Sequence, residues 1–134
     1  MSKNKRRKSN KKTRVYVCSS LRPHVVKRVN KILEKLLATR PDVEFFRPYG
    51  TDPNTMLEVV REDTKEIEGC DELWLIGRAG RDCCVELGMA LALKKDITVY
   101  LDHTNRRKLA KDEMWKIGVD RGHLKVVELG DILD

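Results

Sequence analysis

Glu86 is the residue most out of keeping with its surroundings in this sequence. It lies among Val85, Leu87, Gly88 and Met89, near the head of a predicted helix rich in small residues. A surface helix normally keeps its acids among other polar side chains. In or near the first helical turn, such a carboxylate is held ionised by the helix dipole. Facing a sugar, an ionised carboxylate is a competent nucleophile or a stabiliser of an oxocarbenium ion. The structural alternative is a glutamate that merely suits the dipole. Asp63 is a second acid in an unusual place. Met56, Val60, Asp63, Ile67 and Cys70 share one helical face, while Glu58, Glu62, Glu66 and Glu68 reach toward solvent. A carboxylate on a buried stripe needs a partner or a role. Its ordinary explanation is an edge acid, salt-bridged to a neighbour.

Two loops offer complementary chemistry. Ser19, Ser20, Leu21 and Arg22 follow an apolar run and precede Pro23, which fits the first position of a helix. Hydroxyls, backbone N–H groups at a helix start and a guanidinium fork together make an anion site, most naturally for a phosphate. Ser20 also suits a helix cap, and the two roles are compatible. The second loop, Gly77 to Asp82, brings Arg78 and Arg81 and leads into Glu86. Other chemistries do not fit. Only three residues separate Cys18 from Arg22, where a cysteine phosphatase needs five, and no Walker or dinucleotide glycine pattern is present. Cys83 and Cys84 are adjacent, which suits neither a usual disulfide nor a shared metal site, and His24, His103 and His123 are scattered. No metal or cofactor is expected.

The elements that must position these residues are legible as alternating runs. Predicted strands are Val15–Cys18, Val43–Phe46, Leu73–Ile76, Ile97–Leu101 and Leu124–Val127. Predicted helices cover Pro23–Thr39, Asn54–Glu68, Asp82–Leu93 and Asn105–Gly118, with an unplaced end at Asp131–Asp134. In the first helix Val25, Val29, Ile32 and Leu36 form one stripe, while Lys27, Arg28, Lys31 and Glu34 face water. Gly88, Ala90 and Ala92 let the third helix approach the sheet closely. Alternation of this kind predicts an α/β fold: a doubly wound, flavodoxin- or Rossmann-like five-stranded parallel sheet of probable order 2-1-3-4-5, with helices on both faces. In that order ligands bind outside the carboxyl ends of the strands, at the switch point between the first and third. Both distinctive loops fall there.

The 134 residues suit a single domain over 14–134, preceded by a basic segment over 1–13. Residues 1–14 carry eight of the 28 bases and none of the 21 acids, so the net +7 is a property of this end and the remainder is −1. With no apolar residue after Met1, the segment has nothing to bury and is expected to be disordered in isolation. A nucleic-acid contact through residues 3–14, a nuclear-import signal and a solubilising leader all remain open for it. No membrane span or signal core is present, and four cysteines without pairing are expected to be reduced and largely buried. The expected location is cytoplasmic, or nuclear in a eukaryotic cell.

Tyr16-Val17-Cys18-Ser19-Ser20-Leu21-Arg22 resembles the first-strand motif of the nucleoside 2-deoxyribosyltransferase superfamily. The similarity is greatest to its 2′-deoxynucleoside 5′-phosphate N-hydrolase branch, whose loop reads Tyr-Phe-Cys-Gly-Ser-Ile-Arg. Asp63-x-x-x-Ile67-x-x-x-Asp71 resembles the family's segment before the third strand, and Glu86-Leu87-Gly88-x-Ala90-x-Ala92-Leu93 resembles the stretch around its nucleophile. The resemblance implies that Glu86 attacks C1′ of a deoxyribose and releases the base, while Asp63 orients the reacting groups. It also implies that Tyr16, Ser20 and Arg22 line the sugar-phosphate side, and that a homodimer completes each site across its interface. Ser19 replaces a family glycine. Near Gly80, where relatives bind phosphate or nucleoside, this chain has Arg78, Arg81 and Asp82. The expectation is cleavage of the N-glycosidic bond of a 2′-deoxynucleoside 5′-monophosphate, by hydrolysis or transfer. The alternatives are a non-catalytic nucleotide-binding module and a nucleic-acid accessory protein acting through its basic end.

Overall fold

The computed structural model describes residues 12–19, 23–47, 56–77, 81–103, 105–106 and 122–130. The predicted fourth helix beyond residue 106, the segment 131–134 and the basic end before residue 12 lie outside them. Five strands, β1 (Thr13–Ser19), β2 (Val43–Phe46), β3 (Glu72–Ile76), β4 (Asp96–Leu101) and β5 (Leu124–Glu128), form one sheet of order β2-β1-β3-β4-β5. Every pairing is parallel. Three helices are described: α1 (Pro23–Thr39), α2 (Met56–Gly69) and α3 (Arg81–Ala92). The predicted doubly wound sheet is the one observed.

Strand periodicity sorts the core into two layers. Tyr16, Cys18, Leu73, Leu75, Ile97 and Val99 point to one face, where Ile67 of α2, Cys70 just after it, and Cys83, Leu87 and Ala90 of α3 cover them. Val15, Val17, Trp74, Ile76 and Tyr100 point to the other, against Val29, Ile32, Leu33 and Leu36 of α1. Trp74 and Tyr100 meet edge to face, with ring centroids 5.7 Å apart. Spacings of three and four in α1 produce its stripe, as predicted, and truncating any fully buried member would cost about 2–5 kcal/mol. The three central strands are apolar on both sides, so a one-residue slip in register would invert the whole layer.

Several expectations are corrected. Thr13 belongs to β1 rather than to the basic segment: its N–H donates to the Asp42 carbonyl at 2.8 Å and its hydroxyl to Oδ2 of Asp42 at 3.0 Å. Arg14 is likewise held, in an ion pair with Glu66 at 3.0 Å. Val60, expected on the buried face of α2, is 52% exposed, whereas Ile67 two turns later is fully buried. Angular position selects a face, but burial also requires a neighbour at that height. Ala92 is exposed for the same reason, leaving Ala90 as the close approach of α3 to the sheet. After α3 the chain turns through Lys94 in the left-handed region (φ 58°), and the Lys95 N–H donates to the Ala90 carbonyl at 2.9 Å.

Candidate active site

The fold brings Tyr16, Cys18, Asp63 and Glu86 together from three elements. Tyr16 and Cys18 are two residues apart on β1, so both face the layer that holds α2 and α3. Asp63 comes from mid-α2 and is half-buried. Glu86 is the sixth residue of α3, which starts at Arg81, one residue before the predicted start. The dipole fades within the first turn, so the helix start alone does not account for its charge state. Its immediate company is the strand: Cys18 Sγ lies 3.8 Å from Glu86 Oε2 and 3.7 Å from the Cys83 carbonyl oxygen.

The Tyr16 phenol is fully buried. Its pKa is driven far above the ordinary tyrosine value, first by burial, then by its contact with Glu86 and by the Glu86, Asp63 and Cys18 charges. Among the described residues no group stands at hydrogen-bonding geometry to its oxygen, so the contact with Glu86 is close but looser than a formed hydrogen bond. The phenol therefore keeps its proton and offers it toward the carboxylate. Phe46 backs the ring, with centroids 5.6 Å apart.

Ser19 closes β1 on the opposite face. It is 8% exposed, and its buried hydroxyl has no hydrogen-bond partner among the described residues. Four residues later α1 begins at Pro23, as predicted, and presents its N-terminus to the same end of the sheet. Ser20, Leu21, Arg22 and Gly80 lie outside the described residues. Arg81 and Asp82 open α3, so they start a helix rather than end a loop, and their side chains are not described. Asp71, part of the second motif, sits at the other end of the sheet, where Oδ2 accepts from the Arg14 N–H at 2.9 Å. Its work is to hold β1. Among the described residues no group of three or more His, Cys, Asp or Glu side chains is placed to bind a metal ion, and none of the four cysteines forms a disulfide.

Two solved structures share this architecture. A conserved protein from Enterococcus faecalis V583 superposes with a TM-score of 0.64 at 15% identity, covering 91% of this chain and 94% of its own. The CMP N-glycosidase BcmB from Clostridium botulinum gives 0.58 at 16% identity, covering 87% and 88%. No family model and no curated protein matches the sequence. The shared property is the fold.

Beside the site, a polar cluster ties together the strand ends that carry it. Asn105 is 1% exposed, and its side-chain amide donates to the carbonyls of Gly77 (3.0 Å) and Tyr100 (2.9 Å). Its Oδ1 accepts from the Asp102 N–H at 2.9 Å. Gly77 leaves β3 at φ +78°, a conformation that favours glycine, and Asn105 fixes the carbonyl at that corner. Asp102, 7% exposed, pairs with Arg28 of α1 at 2.8 Å. Arg28 was expected to face water. It is half-exposed because a buried carboxylate across the layer requires its charge. Neither Asn105 nor Asp102 was selected from sequence. Their one local signal was polar residues directly after a strand, at the end of the sheet where ligands bind.

Proposed function

We propose that the protein cleaves the N-glycosidic bond of a nucleoside 5′-monophosphate through Glu86. The observation that carries this reading is the convergence of Glu86, Tyr16, Cys18 and Asp63 beside the switch point of the sheet. A Glu86 oxygen attacks C1′, the C1′–N bond breaks, and its electron pair leaves with the base, which takes up a proton. Water or a second base then attacks C1′ and releases Glu86, so configuration is retained. Asp63 and the neutral Tyr16 phenol orient the carboxylate and the sugar. The Ser19 hydroxyl, without a partner among the described residues, and the start of α1 form the phosphate side, with Ser20 and Arg22 proposed to complete it.

The sequence motifs favour a 2′-deoxyribose. The structural neighbour that acts on CMP supports a 5′-monophosphate but favours a ribose, and a direct test separates the two. Nucleosides and 5′-monophosphates, each in ribo and 2′-deoxy form, are incubated with the protein and free base is read by chromatography. The expected result is base release from a monophosphate and a loss of several orders of magnitude in Glu86→Gln, which keeps the shape but not the anion. Near-normal turnover in folded Glu86→Gln would end the mechanism. Preference for nucleosides would end the phosphate assignment.

A homodimer is part of the proposal. Val60 and Val85 are 52% and 63% exposed and lie on the helices that carry Asp63 and Glu86. An apolar interface there would sit beside the site. A monomer by light scattering at assay concentration would remove it. The proposed location is the cytoplasm or nucleus. No helix among the described residues is long and apolar enough to cross a membrane.

A further inference from the structure

The chemistry above gives Tyr16 a role and leaves Cys18 without one, although both point into the site from the same strand. Cys18 is 1% exposed, and its sulfur sits between Glu86 Oε2 at 3.8 Å and the Cys83 carbonyl at 3.7 Å. One S–H proton thus faces two acceptors in a place closed to water. The thiol pKa is pushed well above its usual range, first by a hydrogen bond with the Cys83 side chain, then by burial and by the Cys83 and Glu86 charges. The proton accordingly stays on sulfur, and the group is a permanent but weak donor.

A nucleophilic carboxylate has conflicting needs. Its rotamer must be fixed and water kept away, yet a strong hydrogen bond to its oxygen withdraws the charge that attacks. A buried thiol satisfies both better than a hydroxyl does. We propose that Cys18 is a positioning residue for Glu86: its S–H holds Oε2 and fills the space behind it while leaving the carboxylate nucleophilic. The catalytic consequence rests on the reading of Glu86 as nucleophile, whereas the contact does not.

The test reads the carboxylate directly. Among the described residues, Tyr16 and Cys18 of β1 face the carboxylate, with Asp63 of α2 acting on Tyr16 and Cys83 of its own helix acting on Cys18. The Glu86 side-chain carboxyl is titrated by carbon NMR in wild type, Cys18→Ala and Cys18→Ser, its resonance assigned by its loss in Glu86→Gln. Removing a weak donor should raise the Glu86 pKa by about half a unit, and the stronger serine donor should lower it by a similar amount. The expected order is Ser below Cys below Ala, with the acid limb of kcat moving alongside. Equal values in all three folded proteins would overturn the proposal. If no nucleotide is cleaved but the NMR order holds, the functional reading fails and the contact stands. Should Cys18→Ala not fold, the serine variant decides together with the S–H infrared band of wild type against Glu86→Gln. A band that shifts supports the contact, and an unchanged band refutes it.

Discussion

Replacing Tyr16 with phenylalanine removes one oxygen from the centre of the site and leaves the packing around it alone. The ring is fully buried and stays against Phe46. Its hydroxyl has been stripped of water without gaining a partner at hydrogen-bonding geometry among the described residues. An unpaired buried polar group costs about 1–3 kcal/mol, and proximity to Glu86 recovers part of that. The variant should therefore be more stable, by about 1 kcal/mol. Activity should move the other way. Burial keeps the phenol protonated, so it is a neutral donor aimed at Glu86 throughout the working range. Losing its positioning of the carboxylate and the sugar should lower kcat by about ten- to a hundredfold. Urea unfolding at constant m value measures the first effect, and steady-state kinetics on the substrate found by the base-release screen measures the second. Opposite signs mark a group retained for function at some cost to the fold. If Tyr16→Phe loses more than about 1 kcal/mol, the hydroxyl is a structural partner and the reasoning fails. Unchanged kcat would refute its role at Glu86.

Burial also pushes the Tyr100 phenol up from 10.0 to about 12, with Glu72 adding to the shift and Arg40 opposing it. Its contribution to stability is complete below pH 10 and is lost as pH rises to 12, because the unfolded chain ionises first. Tyr100→Phe should spare about 2–3 kcal/mol of that alkaline loss in urea melts, and parallel curves for variant and wild type would contradict it. Lys94→Gly should raise stability by about 1 kcal/mol, since Lys94 occupies the left-handed cap of α3 at φ 58°. A lower melting temperature in that variant would show that its side chain does more than tolerate the turn. Asn105→Ala orphans two carbonyls and one N–H at a 1% exposed position, for a loss of about 3 kcal/mol. A loss below about 1 kcal/mol would mean that water takes over these bonds.

How much of this was readable beforehand depends on the range of the interaction involved. The ends of α1 and β2 and the order of the sheet follow from local patterns: apolar run length, Pro23 at a helix start, and strands alternating with helices. Helical spacing put Asp63 on the same face as Ile67, yet it also put Val60 there, which the described residues leave half exposed. The pairing of Arg28 with Asp102 spans 74 residues and could not be seen in either neighbourhood. Asn105 looked like the start of a helix, and only the parallel register of β3 and β4 brings Gly77 and Tyr100 within reach of one amide.

The site itself shows the same division and reverses one causal step. From sequence, Glu86 owed its properties to its own helix, as an acid near a positive helix end. With α3 beginning at Arg81, that field has largely faded by the sixth residue. Two groups close to the carboxylate, Tyr16 and Cys18, come from a strand whose two-residue period was plain but whose inward face was not. A buried parallel strand is apolar on both sides, so alternation alone cannot say whether Tyr16 and Cys18 or Val15 and Val17 meet the glutamate. The helices decide it, by covering the first pair with α2 and α3 and the second with α1. Tyr16 and Cys18 thus reach Glu86 from β1 across the layer, and substitutions at these two positions should tune the carboxylate more strongly than changes in the first turn of its own helix.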